Sequence, residues 1–169
     1  MRLFQKLVLY FCFAALPVFT VCSDLHAQHS PGEALPDTRC SVCGMFVAKY
    51  PNWLAQIHYD DQKLVQFFDG VKDMMVFSFN PEKFNGPPRK KIKEMLVKDY
   101  YSLQWLSVEE TFFVIGSDVY GPMGHELIPF STREAAESFM KDHHGKEILT
   151  FDRITPELID SMRVGQKMR

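Results

Sequence analysis

The segment CSVCGM (residues 40–45) places two cysteines in a CxxC pattern, with a methionine two residues after the second. Cysteine thiolates and methionine thioethers are soft ligands that favour Cu(I) over hard ions, while Zn(II) competes mainly for the thiolates. A CxxC pattern alone is equally compatible with a thiol–disulfide couple, a structural disulfide or half of a zinc site. The rest of the chain has to distinguish these kinds of site.

Residues 1–27 have the pattern of a secretory signal peptide. Arg2 and Lys6 supply a positive start, an apolar run follows over residues 7–21, and the chain then turns polar up to the small residue Ala27. The apolar run is shorter than the roughly 20 residues that a membrane-spanning helix requires. We expect cleavage after Ala27 and export to the periplasm or cell envelope.

Cysteine usage limits how the mature chain can be stabilised. Cys12 and Cys22 lie in the leader, so Cys40 and Cys43 are the only cysteines expected in the mature protein. Two cysteines cannot build a disulfide scaffold, so a domain of about 140 residues must rely on a hydrophobic core. Cys22 also offers an alternative to simple cleavage, a lipid anchor to a membrane, although Val21 is larger than the residue that such processing usually requires.

The charge of the chain excludes one class of partner. The formal net charge is −2, and loss of the leader would leave 17 basic and 20 acidic residues. A slightly acidic protein gives no electrostatic basis for binding nucleic acid. The one basic run, RKK at residues 89–91 followed by Lys93, is interpreted as an exposed loop or as a docking patch.

Alternation and turn signals predict a single mixed α+β domain over residues 40–169, preceded by a polar, flexible lead-in over residues 28–39. Strands are predicted at residues 45–49, 53–59, 63–68, 94–99, 112–115, 126–130 and 148–151. Helices are predicted to start at three capping sites, namely Asp69, Ser131 with Glu134, and Thr155 before Pro156. The second helix has a core-facing stripe of Ala136, Phe139, Met140 and His143.

The order of these elements indicates a weak internal repeat. Within residues 43–100 and within residues 112–154, two predicted strands are followed by a helix and then by a further strand. We therefore predict duplicated ββα(β) units with mostly antiparallel sheet. The repeat would place the turn at residues 43–45 and the turn at residues 122–123 at equivalent edges, where they can face one another.

Met123 and His125 extend the candidate metal site beyond the cysteines. Met123 lies in the segment GPMGH (residues 121–125), where glycines let the backbone approach a ligand closely. Methionines at helical spacing, such as Met74, are typical of core packing instead. His125 lies on the same face as Met123 if the segment is extended. Together with Met45, these side chains would complement the CxxC pair.

The competing interpretations of the CxxC pair are each weakened by context. A structural zinc site usually needs a second CxxC or two spaced histidines, whereas His143 and His144 are adjacent. Thiol–disulfide enzymes place the pair at a helix N-terminus, whereas residues 44–47 predict a strand. A disulfide within so short a loop constrains the unfolded chain little. No GxSxG, HExxH or P-loop motif indicates a hydrolytic enzyme.

The order of several motifs resembles the NosL family, over residues 37–154. The shared motifs are CSVCGM (residues 40–45), AQI (55–57), FFDG (67–70), VKDY (97–100), GPMG (121–124) and the helix that carries Ala136 and Phe139 after Phe130. The CxxCGM and PMG pieces together are fairly specific, whereas either alone would be weak. The resemblance implies a fold similar to the organomercurial-lyase-like fold, which agrees with the predicted repeat.

The resemblance also implies a function. A NosL-like protein is expected to be an exported Cu(I)-binding metallochaperone, not an enzyme, that delivers copper for maturation of a nitrous-oxide-reductase-type enzyme in denitrification. Its expected partners are the copper-receiving apo-enzyme and a membrane copper transporter complex. Carried over by position, the metal ligands would come from Cys40, Cys43, Met45, Met123 and His125.

Two other function classes stay open. One is an envelope enzyme that uses the CxxC pair for thiol–disulfide chemistry or for cleaving an organometal bond. The other is an exported interaction domain with a structural disulfide. The methionines separate these classes, because only a copper chaperone needs Met45 or Met123 as a ligand.

Overall fold

A computed structural model of the chain describes residues 31–61 and 63–164. The predicted signal peptide, its cleavage site and Cys22 lie outside the described residues. Within them, the chain forms three antiparallel sheets and three α-helices, which confirms the mixed α+β class. None of the helices in these described ranges is both long enough and apolar enough to span a membrane.

The first sheet has four strands in the order β2-β1-β3-β4, and all neighbours are antiparallel. The strands are β1 (Ala55–Tyr59), β2 (Val65–Phe68), β3 (Ile92–Lys98) and β4 (Trp105–Ser107). Four of the five residues of β1 are buried, as expected for a central strand that is covered on both faces. Helix α1 (Val71–Phe79) follows β2 directly and packs on β1 and β2.

Helix α1 is the most enclosed element of the fold. Seven of its nine residues are buried, whereas a surface helix typically buries one face. It contacts the first sheet and also helix α3 (Pro156–Arg163). The start of α1 therefore lies in the interior, where each polar group needs a hydrogen-bond partner.

The second sheet has the order β8-β5-β9 and is also antiparallel. Its strands are β5 (Phe112–Ile115), β8 (Ile128–Phe130) and β9 (Glu147–Leu149). A short hairpin, β6 (Tyr120–Gly121) with β7 (Gly124–His125), lies between β5 and β8. Helix α2 (Arg133–Asp142) packs on all three strands of the second sheet and buries Ala136 and Phe139.

Asp99, just after β3, connects the two sheets. One carboxylate oxygen accepts hydrogen bonds from the backbone N–H groups of Tyr101 and Ser102, at 3.0 and 2.7 Å. The other oxygen accepts from the N–H of Ser131 at 2.7 Å. Because Ser131 lies between β8 and the helix that follows it, this carboxylate connects the end of β3 to the second sheet.

Two of the three predicted helix starts are wrong in detail. Asp69 does not cap α1; the N-cap is Gly70, which has no capping side chain, and the Asp69 carboxylate lies against Cys43 instead. Helix α2 starts one residue later than predicted, because Thr132 rather than Ser131 supplies the capping hydroxyl. The capping role of Thr155 is confirmed.

The strand predicted at residues 45–49 is also wrong. Arg39 and Phe46 pair as an isolated antiparallel bridge across a tight loop, and Val47–Lys49 then forms one 3-10 turn. Strand β4 and the β6–β7 hairpin were not predicted. Of the other predicted strands, the one at 112–115 has the predicted bounds and the one at 94–99 begins two residues earlier. The rest are shorter, because the sequence pattern extends into the flanking turns.

Part of the predicted flexible lead-in is docked on the sheet. The Gly32 N–H donates to Oε1 of Gln56, and Nε2 of Gln56 donates to the Gly32 carbonyl, both at 2.8 Å. Gln56 lies in the buried strand β1, so its amide is satisfied by this backbone rather than by water. Residues 31–39 therefore cover an edge of the core.

The two sheets share a strand order. In the first sheet, β1 lies between β2 and β3, and α1 connects these two in sequence; in the second, β5 lies between β8 and β9, and α2 connects them. This is the ββα(β) order expected for each unit. The duplication itself and the similarity to the organomercurial-lyase fold stay predictions.

Phe77 of α1 provides a test of the core around the helix. It is fully buried, with its ring centroid 5.2 Å from that of Phe68 and 5.8 Å from that of Phe84. We expect Phe77→Ala to lower the free energy of unfolding by about 3–5 kcal/mol in urea titrations, because it leaves a cavity. Phe79→Ala is the matched control, since Phe79 is only partly buried, and an equal loss in both variants would contradict this packing.

Candidate metal centre

The CxxC segment folds into a tight turn that brings both sulfurs to one side. The Cys40 N–H donates to the Met45 carbonyl at 2.8 Å, and the Gly44 N–H donates to the Cys40 carbonyl at 2.9 Å. Gly44 has a φ of +76°, in the left-handed region that glycine adopts without steric cost. The motif therefore needs its glycine to close the turn. Cys40 is buried, and Cys43 is partly exposed.

Two aspartates at the start of α1 complete a four-residue group with the cysteines, here called the Cys–Asp centre. The Cys40 thiol donates to Oδ2 of Asp73 at 3.6 Å, and the Cys43 thiol donates to Oδ1 of Asp69 at 3.3 Å. One ligand atom from each of the four residues lies within 4.8 Å of all the others. Both carboxylates are buried.

Neither aspartate is predicted as a site residue from the sequence, in which Asp69 has the pattern of an ordinary helix cap. A signal was present, because residues four apart on a helix lie on the same face. Asp69 precedes the helix and Asp73 lies four residues after Asp69, so the two carboxylates can lie on the same side. Gly70 determines that Asp69 is not the helix cap, because Gly70 is extended and itself occupies the N-cap position.

The electrostatics of the Cys–Asp centre favour protonated groups when no metal is bound. Hydrogen bonding to Cys43, burial and the neighbouring Asp69 together raise the pKa of Cys40. Burial, followed by repulsion from Asp69, raises the pKa of Asp73. A metal ion has to displace these protons, so its affinity rises with pH. Since a cation removes the repulsion between the acidic groups, the centre is suited to bind one.

The donor set fits a thiophilic metal ion. Two metal–sulfur bonds of about 2.3 Å each require sulfurs no more than about 4.6 Å apart, close to the spread found here. The thiolates provide the soft ligands that Cu(I) prefers, and the carboxylates add harder oxygen ligands. The cysteines and histidines of the sequence do not by themselves provide four zinc ligands with the usual spacing. With two carboxylates, the centre also has the four donors of a tetrahedral Zn(II) site.

The turn that carries Met123 and His125 docks on the same helix start. Nζ of Lys72 donates to the carbonyls of Met123 and His125, at 2.7 and 2.8 Å. The carboxylate of Glu126 accepts from the N–H groups of Lys72 and Leu127, at 2.6 and 2.9 Å. Lys72 directly precedes Asp73 of the Cys–Asp centre, so the first turn of α1 contacts both sulfur-bearing turns.

The other predicted ligands are placed less closely. His125 is exposed, its ring lies 4.9 Å from that of Tyr120, and it is not part of the group within 4.8 Å. Met45 and Met123 are partly buried, and the contacts described for both involve their backbone carbonyls. The structure thus joins Cys40 and Cys43 in one centre, while ligand roles for these three residues stay predictions.

Comparison with known proteins gives the family. The model of the NosL family matches residues 31–159. The chain belongs to the NosL family. A curated relative, the copper-binding lipoprotein NosL of Achromobacter cycloclastes, is 26% identical over 168 residues, which cover 92% of this chain and 84% of that protein. The NosL resemblance drawn from the motifs is therefore confirmed.

A solved NosL structure has the same fold. The crystal structure of the copper chaperone NosL from Shewanella denitrificans is 24% identical and has a TM-score of 0.66. The match covers 76% of this chain and 97% of that one. At this identity the likeness supports the overall fold.

Replacing Asp73 tests whether the carboxylates act as metal ligands. We expect Asp73→Asn to weaken Zn(II) or Co(II) binding on the order of 10–100-fold, because borderline divalent ions use the carboxylate oxygen. Binding of Cu(I) should change much less, because the thiolates carry it. Titration against competing chelators measures both. Asp142→Asn, at an exposed position of α2, is the control, and equal losses for all metals would show that Asp73 acts only on the thiols.

Glu126 gives a test by pH. Burial raises its pKa to about 8, from 4.5 in the unfolded chain. A carboxyl group with a raised folded-state pKa holds its proton more tightly when folded, so its contribution to the free energy of unfolding falls as pH rises from about 4.5 to 8. We expect urea unfolding of the metal-free protein to show this decrease and Glu126→Gln to flatten it. A variant with the slope of the wild type would contradict the assignment to Glu126.

Proposed function

We propose that this NosL-family protein is an exported copper chaperone that binds Cu(I) at the Cys–Asp centre and delivers it to a nitrous-oxide-reductase-type enzyme. The observation that carries the proposal is the convergence of the two thiols at one point, each paired with a carboxylate. Relatives named as a copper-binding lipoprotein and as a copper chaperone support copper as the cargo.

The Cys40 and Cys43 thiolates would hold the ion, with further ligands from Met123 and His125 on the docked hairpin and from Met45. Sulfur ligands favour Cu(I) over the divalent ions that the carboxylates also attract. A thioether needs no deprotonation, so a methionine ligand keeps its affinity where protons compete for the thiolates. This mixture is suited to hold copper and still release it.

The exposure of the ligands sets a route for transfer. Cys40 is 3% exposed, Cys43 is partly exposed and His125 is exposed. An incoming ligand from an acceptor protein reaches the outer ligands first, so copper would leave by stepwise exchange that ends at Cys40. The expected partners are the apo-enzyme that receives copper and a membrane copper transporter complex that supplies it.

Location in the cell envelope fits this role. The signal-like residues 1–27 predict export, and the Achromobacter relative is named as a lipoprotein. Cys22 is the residue in this chain at which a lipid anchor would be placed. Such an anchor would hold the chaperone at the membrane, close to a transporter.

One observation favours a second candidate, an enzyme that cleaves organomercury compounds. Two thiols with adjacent carboxyl groups can take mercury from R–Hg⁺, form a dithiolate of Hg(II), and pass one thiol proton to carbon to release R–H and the other to water. Disulfide exchange is less favoured, because the raised pKa of Cys40 leaves less thiolate for attack.

Anaerobic Cu(I) titration against a chromophoric chelator tests the chaperone. We expect about one copper per chain, a loss of at least about 100-fold in affinity for Cys40→Ser and for Cys43→Ser, and about tenfold for Met123→Ala. Met140→Ala is the control, because this methionine packs on the second core cluster.

Two results would contradict the proposal. The first is wild-type Cu(I) affinity in both serine variants, which would remove the Cys–Asp centre as the binding site. The second is catalytic release of R–H from an organomercurial by the metal-free protein at multiple turnovers, which would favour the enzyme. Transfer of copper from the loaded protein to the apo-reductase, compared with free Cu(I), tests delivery.

A further inference from the structure

We propose that Lys72 and Glu126 form a latch that positions the hairpin bearing Met123 and His125 against the Cys–Asp centre. This inference rests on the proposed function, because it concerns how ligands from two parts of the chain are presented to one copper ion. Lys72 and Glu126 are positioning residues in this proposal, and neither contacts the metal. The name latch is used below for these two side chains.

The lysine side of the latch is built at a cost to stability. Lys72 is 1% exposed, although burying an ammonium group is unfavourable unless it is well hydrogen-bonded. It also lies in the first turn of α1, where the helix dipole disfavours a positive charge. Its Nζ donates to two carbonyls of the hairpin, that of Met123 in the turn and that of His125 in β7. These two hydrogen bonds fix the backbone at both predicted ligands.

Glu126, the second side chain of the latch, connects the end of the hairpin to the start of α1. Glu126 directly follows β7, is buried, and accepts from the N–H of Lys72 at the start of α1. It thus does the capping that Gly70 cannot do. A Cβ at Gly70 would lie 2.2 Å from Oε2 of Glu126, and one at Gly121 would lie 3.1 Å from its Cγ. The carboxylate therefore fits into a space that only glycines leave open.

The hydrogen bonds of Lys72 and Glu126 connect the hairpin to the same segment that contacts the cysteines. Residues 69–73 contain Asp69 and Asp73, which accept hydrogen bonds from Cys43 and Cys40. Lys72 lies between these aspartates and reaches the hairpin. One five-residue segment thus fixes the separation of the CxxC turn and the Met123 turn. Such preorganisation raises affinity, because the ligands need not be ordered when copper binds.

The first arm of the test uses the metal-free protein and does not depend on copper. We expect Lys72→Met to speed amide hydrogen exchange in residues 120–127 by about tenfold or more, while strand β1 keeps its protection. Lys91→Met, at an exposed lysine, is the matched control and should leave exchange unchanged. Wild-type exchange of the hairpin in the Lys72→Met variant would overturn the latch.

The second arm is a double-mutant cycle in Cu(I) affinity with Met123→Ala. We expect Lys72→Met to weaken Cu(I) binding by about tenfold in the wild-type background and to have little further effect once Met123 is absent, because both changes remove the same ligand. Equal losses in both backgrounds would overturn the positioning role. If Met123→Ala itself binds Cu(I) as the wild type does, the ligand assignment has failed, and the exchange result still decides the latch.

Glu126→Gln provides a second variant if Lys72→Met does not fold. The amide keeps one acceptor oxygen and the size of the side chain, but its NH2 group cannot accept a hydrogen bond. We expect faster hairpin exchange and a weaker Cu(I) affinity, in the same direction as Lys72→Met and smaller. Unchanged exchange and affinity in this folded variant would overturn the proposal.

Discussion

The buried start of helix α1 is the constraint on which the rest of this structure depends. The first N–H groups of a helix lack partners within the helix, and an interior helix start cannot obtain them from water. In this chain the N-cap is a glycine, and the partner is the carboxylate of Glu126, 54 residues further along. A local requirement of one helix thus becomes a long-range connection between the two sheets.

The same helix start concentrates polar groups that a stable core would avoid. Asp69, Lys72, Asp73 and Glu126 are all buried, and the two aspartates repel each other. The three carboxyl groups accept hydrogen bonds from thiols and backbone N–H groups, and the Lys72 ammonium donates to backbone carbonyls. A bound cation replaces thiol protons and offsets the repulsion between carboxylates, so it stabilises the folded state by linkage. The buried, mutually repelling carboxyl groups lower the stability of the metal-free protein and also favour binding of a cation, as at many functional sites.

The fold class and the order of elements were predictable from sequence because they depend on local patterns. The strands at β1 and β5, the caps of the last helix and the turn at Gly44 follow from periodicity and from glycine. The sequence did not reveal β4 or the hairpin. The hairpin strands have two residues each, and the glycines and proline of residues 121–124 indicate a turn instead of a strand. The sequence also placed a strand at residues 45–49, where pairing of Arg39 with Phe46 closes a loop instead.

Half of the candidate metal centre could be predicted from the sequence, and the other half depends on tertiary structure. Cys40 and Cys43 stand out because CxxC is a compact motif, whereas Asp69 followed the rule for helix caps and so looked ordinary. Only the three-dimensional structure shows that Gly70 takes the cap, which frees Asp69 to face Cys43. The zinc interpretation was weakened for the same reason, since carboxylate donors leave no spacing signature in the sequence.

In the proposed function, the arrangement of the candidate ligands from interior to surface would separate holding copper from releasing it. Cys40 is enclosed and paired with the buried Asp73, while Cys43 and Met123 are partly exposed and His125 faces solvent. A fully enclosed four-ligand site would bind more tightly, but an acceptor could not reach it. An entirely exposed site would exchange rapidly and lose selectivity for soft ions. Because the inner thiol is buried beside α1 and the outer candidate ligands lie on turns, affinity and exchange would depend on different residues, as the proposed transfer to a second protein requires.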